Sequence, residues 1–463
     1  MLDKLTPGMT PAADAEEQPP RPLAEFEGYA ECSLFAEEVK ITLYPDEMLV
    51  AALFDQMPIP YGRISAFAFE NYRLTLHTQD GPVVFTRMGQ EAEWLYDKLW
   101  QAYNDTVLRA LLVEGESQFE ATGRFTLEER NGREEEQGVI RLYPDCLCLL
   151  PPNENARRIP LCFVTGMEKG DFSRTLRLST GESYTLSHMG RELENLDRLI
   201  TANIRALREH TLAFHKTLAP DLSPMQAAAA GKLMPLGAAA PMASILSSAP
   251  PLEKALKQKI RESRMASAYP WLERLSGGNG ITIGAKPAPE KETEEELPEA
   301  EAAEETTPEE PAEPAPILWV VAAVKEQGIA AVELALADDE AAATYLYRIK
   351  GDGTAFSLQV HRGLEAAGFQ RELILLPEEK LALPEHMAAS MLIKRTPALQ
   401  LMRESFAGRA IHSSEERWKR DIMKCGIGQE SRQPAQTARF CGSCGTRLTP
   451  GARFCGQCGA ILK

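Results

Sequence analysis

No stretch of about 18 consecutive apolar residues occurs in the 463-residue chain, so no helix is expected to span a bilayer. The opening, MLDKLTPGMTPAADAEEQPPRP, lacks the apolar segment of a secretory signal. An excess of positive charge is missing too. The net charge is −17, which excludes a chain that coats nucleic acid along its whole length. The nine cysteines do not make the even-numbered framework of a small secreted domain, and four of them crowd into the last 23 residues. That usage reads as a reduced, cytoplasmic protein with one metal site. The remaining composition, 44% apolar and 25% charged, is ordinary globular usage and sufficient for about three folded domains.

The acidic charge is concentrated. Residues 288–316 hold twelve glutamates against Lys291, interleaved with proline and alanine. Almost no large apolar side chain is present to offset ordering entropy, so 288–315 is expected to be a disordered acidic linker reaching about 30 Å. It would serve as a solvated spacer or, alternatively, as a lure for a basic partner. Residues 219–276 read as an Ala/Pro-rich and helical connector, and residues 1–24 as a disordered tail.

The first half repeats itself. KITLYPDEMLV (40–50) and VIRLYPDCLCL (139–149) share Leu-Tyr-Pro-Asp at an offset of 99, and IPYGRIS (59–65) matches IPLCFVT (159–165) at 100. Leu74 and Leu76 match Leu176 and Leu178 at 102, and RMGQE (87–91) matches HMGRE (188–192) at 101. Collinear anchors with a drifting offset point to a duplicated unit. Each copy has β-rich runs separated by turn signals and then an amphipathic helix: Leu95, Leu99, Tyr103 and Val107 in one, Leu193, Leu196, Ile200, Ile204 and Leu207 in the other.

Five to seven antiparallel strands closed by one helix resemble the pleckstrin-homology/GRAM superfold, over about residues 28–110 and 117–212. The resemblance implies a binding platform without catalysis. Many such domains hold phosphoinositides on a basic loop between their first two strands. The words taken as those loops here, Pro45-Asp46-Glu47 and Pro144-Asp145, are acidic, which argues against strong lipid binding and for protein contact. Cys146, Cys148 and Cys162 read as core fillers.

Leu252 to Leu275 read as a helix interrupted at Pro270, followed by a short strand, ITIGAKP. After the acidic segment, ILWVVAAV, AAVELALA, TYLYRIK and RELILL read as strands. Thr354 caps a helix over AFSLQVHRGLEAAGF, and helices near 387–405 and 414–424 complete an α+β domain over 316–424. Its candidate side chains are His361, Arg362, Glu365, Glu378, Glu379, His386 and His412, with no nucleophile or carboxylate pair at a telling spacing. Gly351-Asp352-Gly353 is a turn and not a phosphate loop. His210 and His215 are five apart on a helix and make a poor metal pair.

The tail, residues 437–463, carries the sharpest pattern. RFCGSCGTRL and RFCGQCGAIL repeat at an offset of 14, placing Cys441 and Cys444 in one CxxC pair and Cys455 and Cys458 in another. Two knuckles supply the closed tetrahedral set of a structural zinc ion, with no position left for water. The segment resembles the short zinc ribbon at the ends of many bacterial proteins. It is too short for a core, so one Zn²⁺ is expected to fold it. Residues 431–463 contain five cations and no acid; Cys425 has no CxxC partner.

The expectation is an α+β multidomain, non-enzymatic, cytoplasmic adaptor with unknown protein partners. A nucleic-acid-linked regulator using the basic ribbon is one alternative. An enzyme with a site formed between domains is another.

Overall fold

The computed structural model describes residues 21–277, 280–288, 316–325, 328–335 and 343–426. The described residues form a mixed helix and sheet structure with three antiparallel sheets. Among the described residues, no helix is long and apolar enough to cross a membrane.

The first unit consists of β1 (Ala24–Glu31), β2 (Ala36–Leu43), β3 (Glu47–Ala51), β4 (Gln56–Pro60), β5 (Ile64–Glu70), β6 (Arg73–Thr78), β7 (Gly81–Thr86) and the helix α1 (Glu91–Ala110). The second repeats the plan with β8 (Phe119–Glu129), β9 (Gly132–Leu142), β10 (Cys146–Leu150), β11 (Arg157–Pro160), β12 (Val164–Gly170), β13 (Ser173–Leu178), β14 (Ser183–Ser187) and α2 (Glu192–Leu218). The sheet orders are the same: β4-β3-β2-β1-β7-β6-β5 and β11-β10-β9-β8-β14-β13-β12. Leu43 and Leu142 end the second strand of their units, Ile59 and Ile159 lie in the fourth, and Met88 and Met189 stand in the turn before the helix. That turn repeats its backbone as well: Arg87 and His188 have φ of 60° and 58°, and Gly89 and Gly190 both 57°.

Two sequence expectations need correction. The opening strand of each unit went unread, because outward glutamates dilute AEFEGYAE and only Phe26, Gly28 and Ala30 face the core. The acidic words therefore lie between the second and third strands, and the loops joining first to second strands are residues 32–35 and 130–131. The third repeat anchor is also displaced. Phe67 pairs with Leu76 and Met167 with Leu176, and both hairpins shift register at the same place. The offset here is 100, so Leu74 corresponds to Arg174. The left-handed turn residues Tyr72 and Phe172 set this register, and the Leu-x-Leu words merely coincide two residues away.

The third sheet runs β15-β16-β17-β18-β19-β20, with β15 at Ala239–Pro241, β16 at Ile281–Lys286, β17 at Ile317–Val324, β18 at Ile329–Ala335, β19 at Ala343–Arg348 and β20 at Phe406–Ile411. Lys286 pairs with Ile317. The acidic linker, itself outside the described residues apart from its first residue, thus joins two neighbouring strands of one sheet. The connector and the 316–424 domain share that sheet, and the expected boundary between them falls inside it.

β17 is buried along its whole length. Ile317, Trp319 and Val321 face a core shared with the first unit, whereas Leu318, Val320 and Ala322 face a second core. The first side is covered by α7 (Gly353–Ala366), α10 (Met387–Lys394) and α11 (Pro397–Ser405), with the short α8 (Glu372–Leu375) and α9 (Glu378–Leu381) nearby. On the other side lie α3 (Pro224–Leu233), α4 (Met242–Ser248), α5 (Pro250–Glu262), α6 (Tyr269–Leu275) and α12 (Glu415–Cys425).

Local chemistry explains several ends. Asp352, rather than the expected Thr354, caps α7, its carboxylate accepting from the N–H groups of Thr354 and Ala355 at 2.9 Å. The expected 252–275 helix breaks at Ser263, and Pro270 sits in the first turn of α6, where it is tolerated. RELILL is helical instead of extended. The edge of β19 that it would need is taken by β20, a strand whose composition gave no signal.

Candidate functional site

The units meet through side chains and main chain together. Residues Pro152 to Glu154, between β10 and β11, lie along β5: Phe67 N–H donates to Pro152 O at 2.9 Å, and Glu154 N–H to Ser65 O at 3.0 Å. Tyr103 of α1 donates to Asn153 O at 3.0 Å and accepts from Arg395 at 2.7 Å. Arg395, between α10 and α11, is 2% exposed, so one hydrogen-bond chain joins the first unit, the second unit and the helices over the third sheet.

Two of the sequence candidates, Arg362 and Glu365, join a buried ion cluster on α7. Glu365 accepts from Arg158 at 2.6 Å and from Arg362 at 3.0 Å, and Arg158 also reaches Asp145 at 2.8 Å. Arg362 donates to the carbonyl of Arg158. The acidic Asp145, its side chain 56% exposed, is paired with Arg158 at the rim of this cluster. Nothing in the sequence pairs Arg158 with a residue some two hundred positions away.

His361 is 1% exposed. Its Nδ1 accepts from Trp319 Nε1–H at 3.1 Å, which leaves the proton on Nε2 to be donated to Thr282 at 2.7 Å. Thr282 then donates to Val321 O at 3.1 Å. Burial depresses the His361 pKa to about 3. A fully committed neutral imidazole pins α7 to the sheet and is a poor general base.

His412 meets Glu333, a residue passed over because it is a lone carboxylate inside an apolar strand. Their separation is 2.9 Å, from His412 Nε2 to Glu333 Oε1. Thr344 is 3.2 Å from the same Nε2, donates to Glu333, and accepts from Trp418 Nε1–H at 2.6 Å. A relay base needs the carboxylate on one ring nitrogen and the nucleophile on the other. Here both compete for one, and the threonine proton points to the carboxylate.

The other candidates do not converge. Glu378 pairs with Arg403 at 2.6 Å, Glu379 is exposed, and His386 is half-buried. His210 is exposed, while His215 is buried with neither ring nitrogen partnered among the described residues and a pKa lowered by burial to about 4.

Cys146 and Cys148 face outward from the second unit into the core shared with the first, and Leu147 and Leu149 fill the second unit's own core. Their mutual hydrogen bond and burial push the Cys146 thiol up, and burial pushes Cys162 up, so neither is a ready thiolate. No group of metal-binding side chains occurs among the described residues.

A cleft of about 740 Å³ lies between the second unit and α7, with Glu129, Arg130, Glu182, Lys350 and Gln359 in its wall. These groups bind one another or near neighbours. Arg157 holds Glu129 at 3.0 Å, Gln359 donates to Glu182 at 3.1 Å, and Arg130 and Lys350 share Glu404. The wall contains no histidine or cysteine.

The four tail cysteines, Cys441, Cys444, Cys455 and Cys458, lie outside the described residues. Four thiols in two CxxC pairs are a donor set that suits a tetrahedral zinc ion. No curated protein matches the chain. A family model for a zinc-ribbon domain matches residues 440–462, and the match implies that this segment binds zinc.

Proposed function

We propose that the protein is a non-enzymatic, cytoplasmic adaptor whose two N-terminal units are PH-like protein-binding platforms. In this reading, Cys441, Cys444, Cys455 and Cys458 close one structural zinc site in a ribbon that adds a further contact. One observation carries it: the first unit already receives an extended segment, Pro152 to Glu154, on the outer edge of β5 beside its C-terminal helix. The strand order shared by the two units, followed by one helix, supports the likeness to the PH/GRAM superfold. The pairing of Arg158 and Arg362 with Glu365, and of His361 with Trp319 and Thr282, supports a structural role for these side chains over a catalytic one.

Lipid is a poor fit as the partner. The first-to-second-strand loops offer a single cation, Arg130, already held by Glu404 at 2.9 Å. Nucleic acid is the second reading, because the ribbon segment has five cations and no acid.

Affinity-tagged full chain and a chain ending at Gly426 should be purified from the native host. The adaptor reading expects a specific protein bound to the full chain and reduced or lost with the shorter one. Nuclease-sensitive, salt-dependent retention of nucleic acid would favour the second reading. Recovery of neither macromolecule would sink the adaptor role.

A further inference from the structure

The duplication supplies an internal comparison for a second docking edge. In the first unit, the outward main-chain groups of Ser65 and Phe67 are occupied by Pro152 to Glu154. The hairpins of β5 and β12 share one register at an offset of 100, so Thr165 and Met167 are the counterparts in the second unit. Like β5, β12 is a terminal strand of its sheet. Among the described residues, neither Thr165 O nor Met167 N–H has a main-chain partner outside the sheet. The edge is open: Thr165 is exposed, and a side chain built on Gly166 would meet nothing within 4 Å. An unpaired strand edge is a template for another strand.

The groove beside this edge has changed character. In the first unit, Phe67 stacks edge-on against Tyr96 and Tyr103 at 5.8 and 5.2 Å, and Phe69 lies over Tyr96 at 5.3 Å. At the corresponding positions the second unit has Lys169 for Phe69, Arg174 for Leu74 and Asp197 for Tyr96. Lys169 and Arg174 both reach Asp197 Oδ2, at 3.0 and 3.2 Å. Two cations share this one carboxylate, Glu168 is held separately by Arg177 at 2.7 Å, and the Lys169 side chain is 70% exposed.

We propose that the β12 edge of the second unit binds an extended, acidic peptide segment of a partner protein as an added antiparallel strand. Main-chain bonds to Thr165 O and Met167 N–H align the segment, and an acidic side chain opposite Lys169 selects it. This site deepens the adaptor reading and rests on it.

The test pans a phage-displayed random peptide library against the full chain. The expected result is enrichment of acidic peptides whose binding protects the Met167 amide from hydrogen exchange. Phe67, already bonded to Pro152, should stay protected with or without peptide. M167P removes the outward donor on a terminal strand, together with a side chain packed on the unit's core, and should weaken these peptides about tenfold. K169E, which leaves the strand's backbone intact, should weaken them similarly and answers for M167P should that variant misfold. Failure to enrich any peptide, or equal binding to K169E and the parent, overturns the proposal. A native partner still held by K169E would leave the adaptor role standing while removing this edge as its site.

Discussion

A β-carbon on Gly28 would stand 2.6 Å from Cγ of Met88. The same relationship recurs in the second unit, where Gly123 and Met189 give 2.7 Å. In each, the methionine before the helix packs onto a strand that must present no side chain. Gly28→Ala and Gly123→Ala should each destabilise the protein by about 1–3 kcal/mol through overpacking. Combining Gly28→Ala with Met88→Ala should cost less than the sum of the two single changes in urea unfolding. Additive costs would mean that the methionine is not the obstacle.

Glu365 is the common partner of Arg158 and Arg362. Glu365→Gln leaves two buried guanidiniums short of their counter-charge and should cost about 3–5 kcal/mol. Replacing Arg158, Arg362 and Glu365 together by methionine should cost less, because no charge of the cluster is then left buried without its partner. Chemical denaturation of the three proteins decides the point, and equal losses would argue against an ionic lock.

Stability should fall on mild acidification. His215 and His361 have pKa values lowered from 6.5 to about 4 and about 3 by burial. Above pH 6.5 these groups are neutral in both states. As the pH falls below that value, the unfolded chain takes up protons that the folded chain refuses until about pH 4 for His215 and about pH 3 for His361. Each histidine should remove about 1.4 kcal/mol per pH unit inside its window. Relative to the parent, His215→Leu should therefore lose about 2 kcal/mol less between pH 7 and pH 5. Identical pH dependence would show that His215 protonates normally in the folded state.

Elemental analysis should find roughly one zinc per chain. Cys455→Ser should release it and leave the main thermal transition nearly unchanged, since the matched ribbon at residues 440–462 follows the last described helix, which ends at Cys425. Retention of zinc after that change, or two metals per chain, would assign a ligand role to Cys146, Cys148 or Cys162.

Features that depend on neighbours a few positions apart were legible in the residues alone. The duplicated words, the helix faces of Leu95, Leu99, Tyr103 and Val107, and the CxxC spacing of the tail are local patterns that the chain must carry wherever it folds. Tertiary structure decided what depends on distant pairing. The correspondence of Leu74 with Arg174 was settled by hairpin register, because a repeated Leu-x-Leu word fits two alignments and only the turn distinguishes them. That Lys286 pairs with Ile317 could not be read through an intervening acidic segment that specifies no path. RELILL had the composition of a strand, but β20 holds the edge it would need. The meeting of Glu333 with His412, 2.9 Å apart, and of Arg158 with Glu365, 2.6 Å apart, follows from strand and helix packing. Charge complementarity leaves no signature in a single sequence until the fold brings its two halves together.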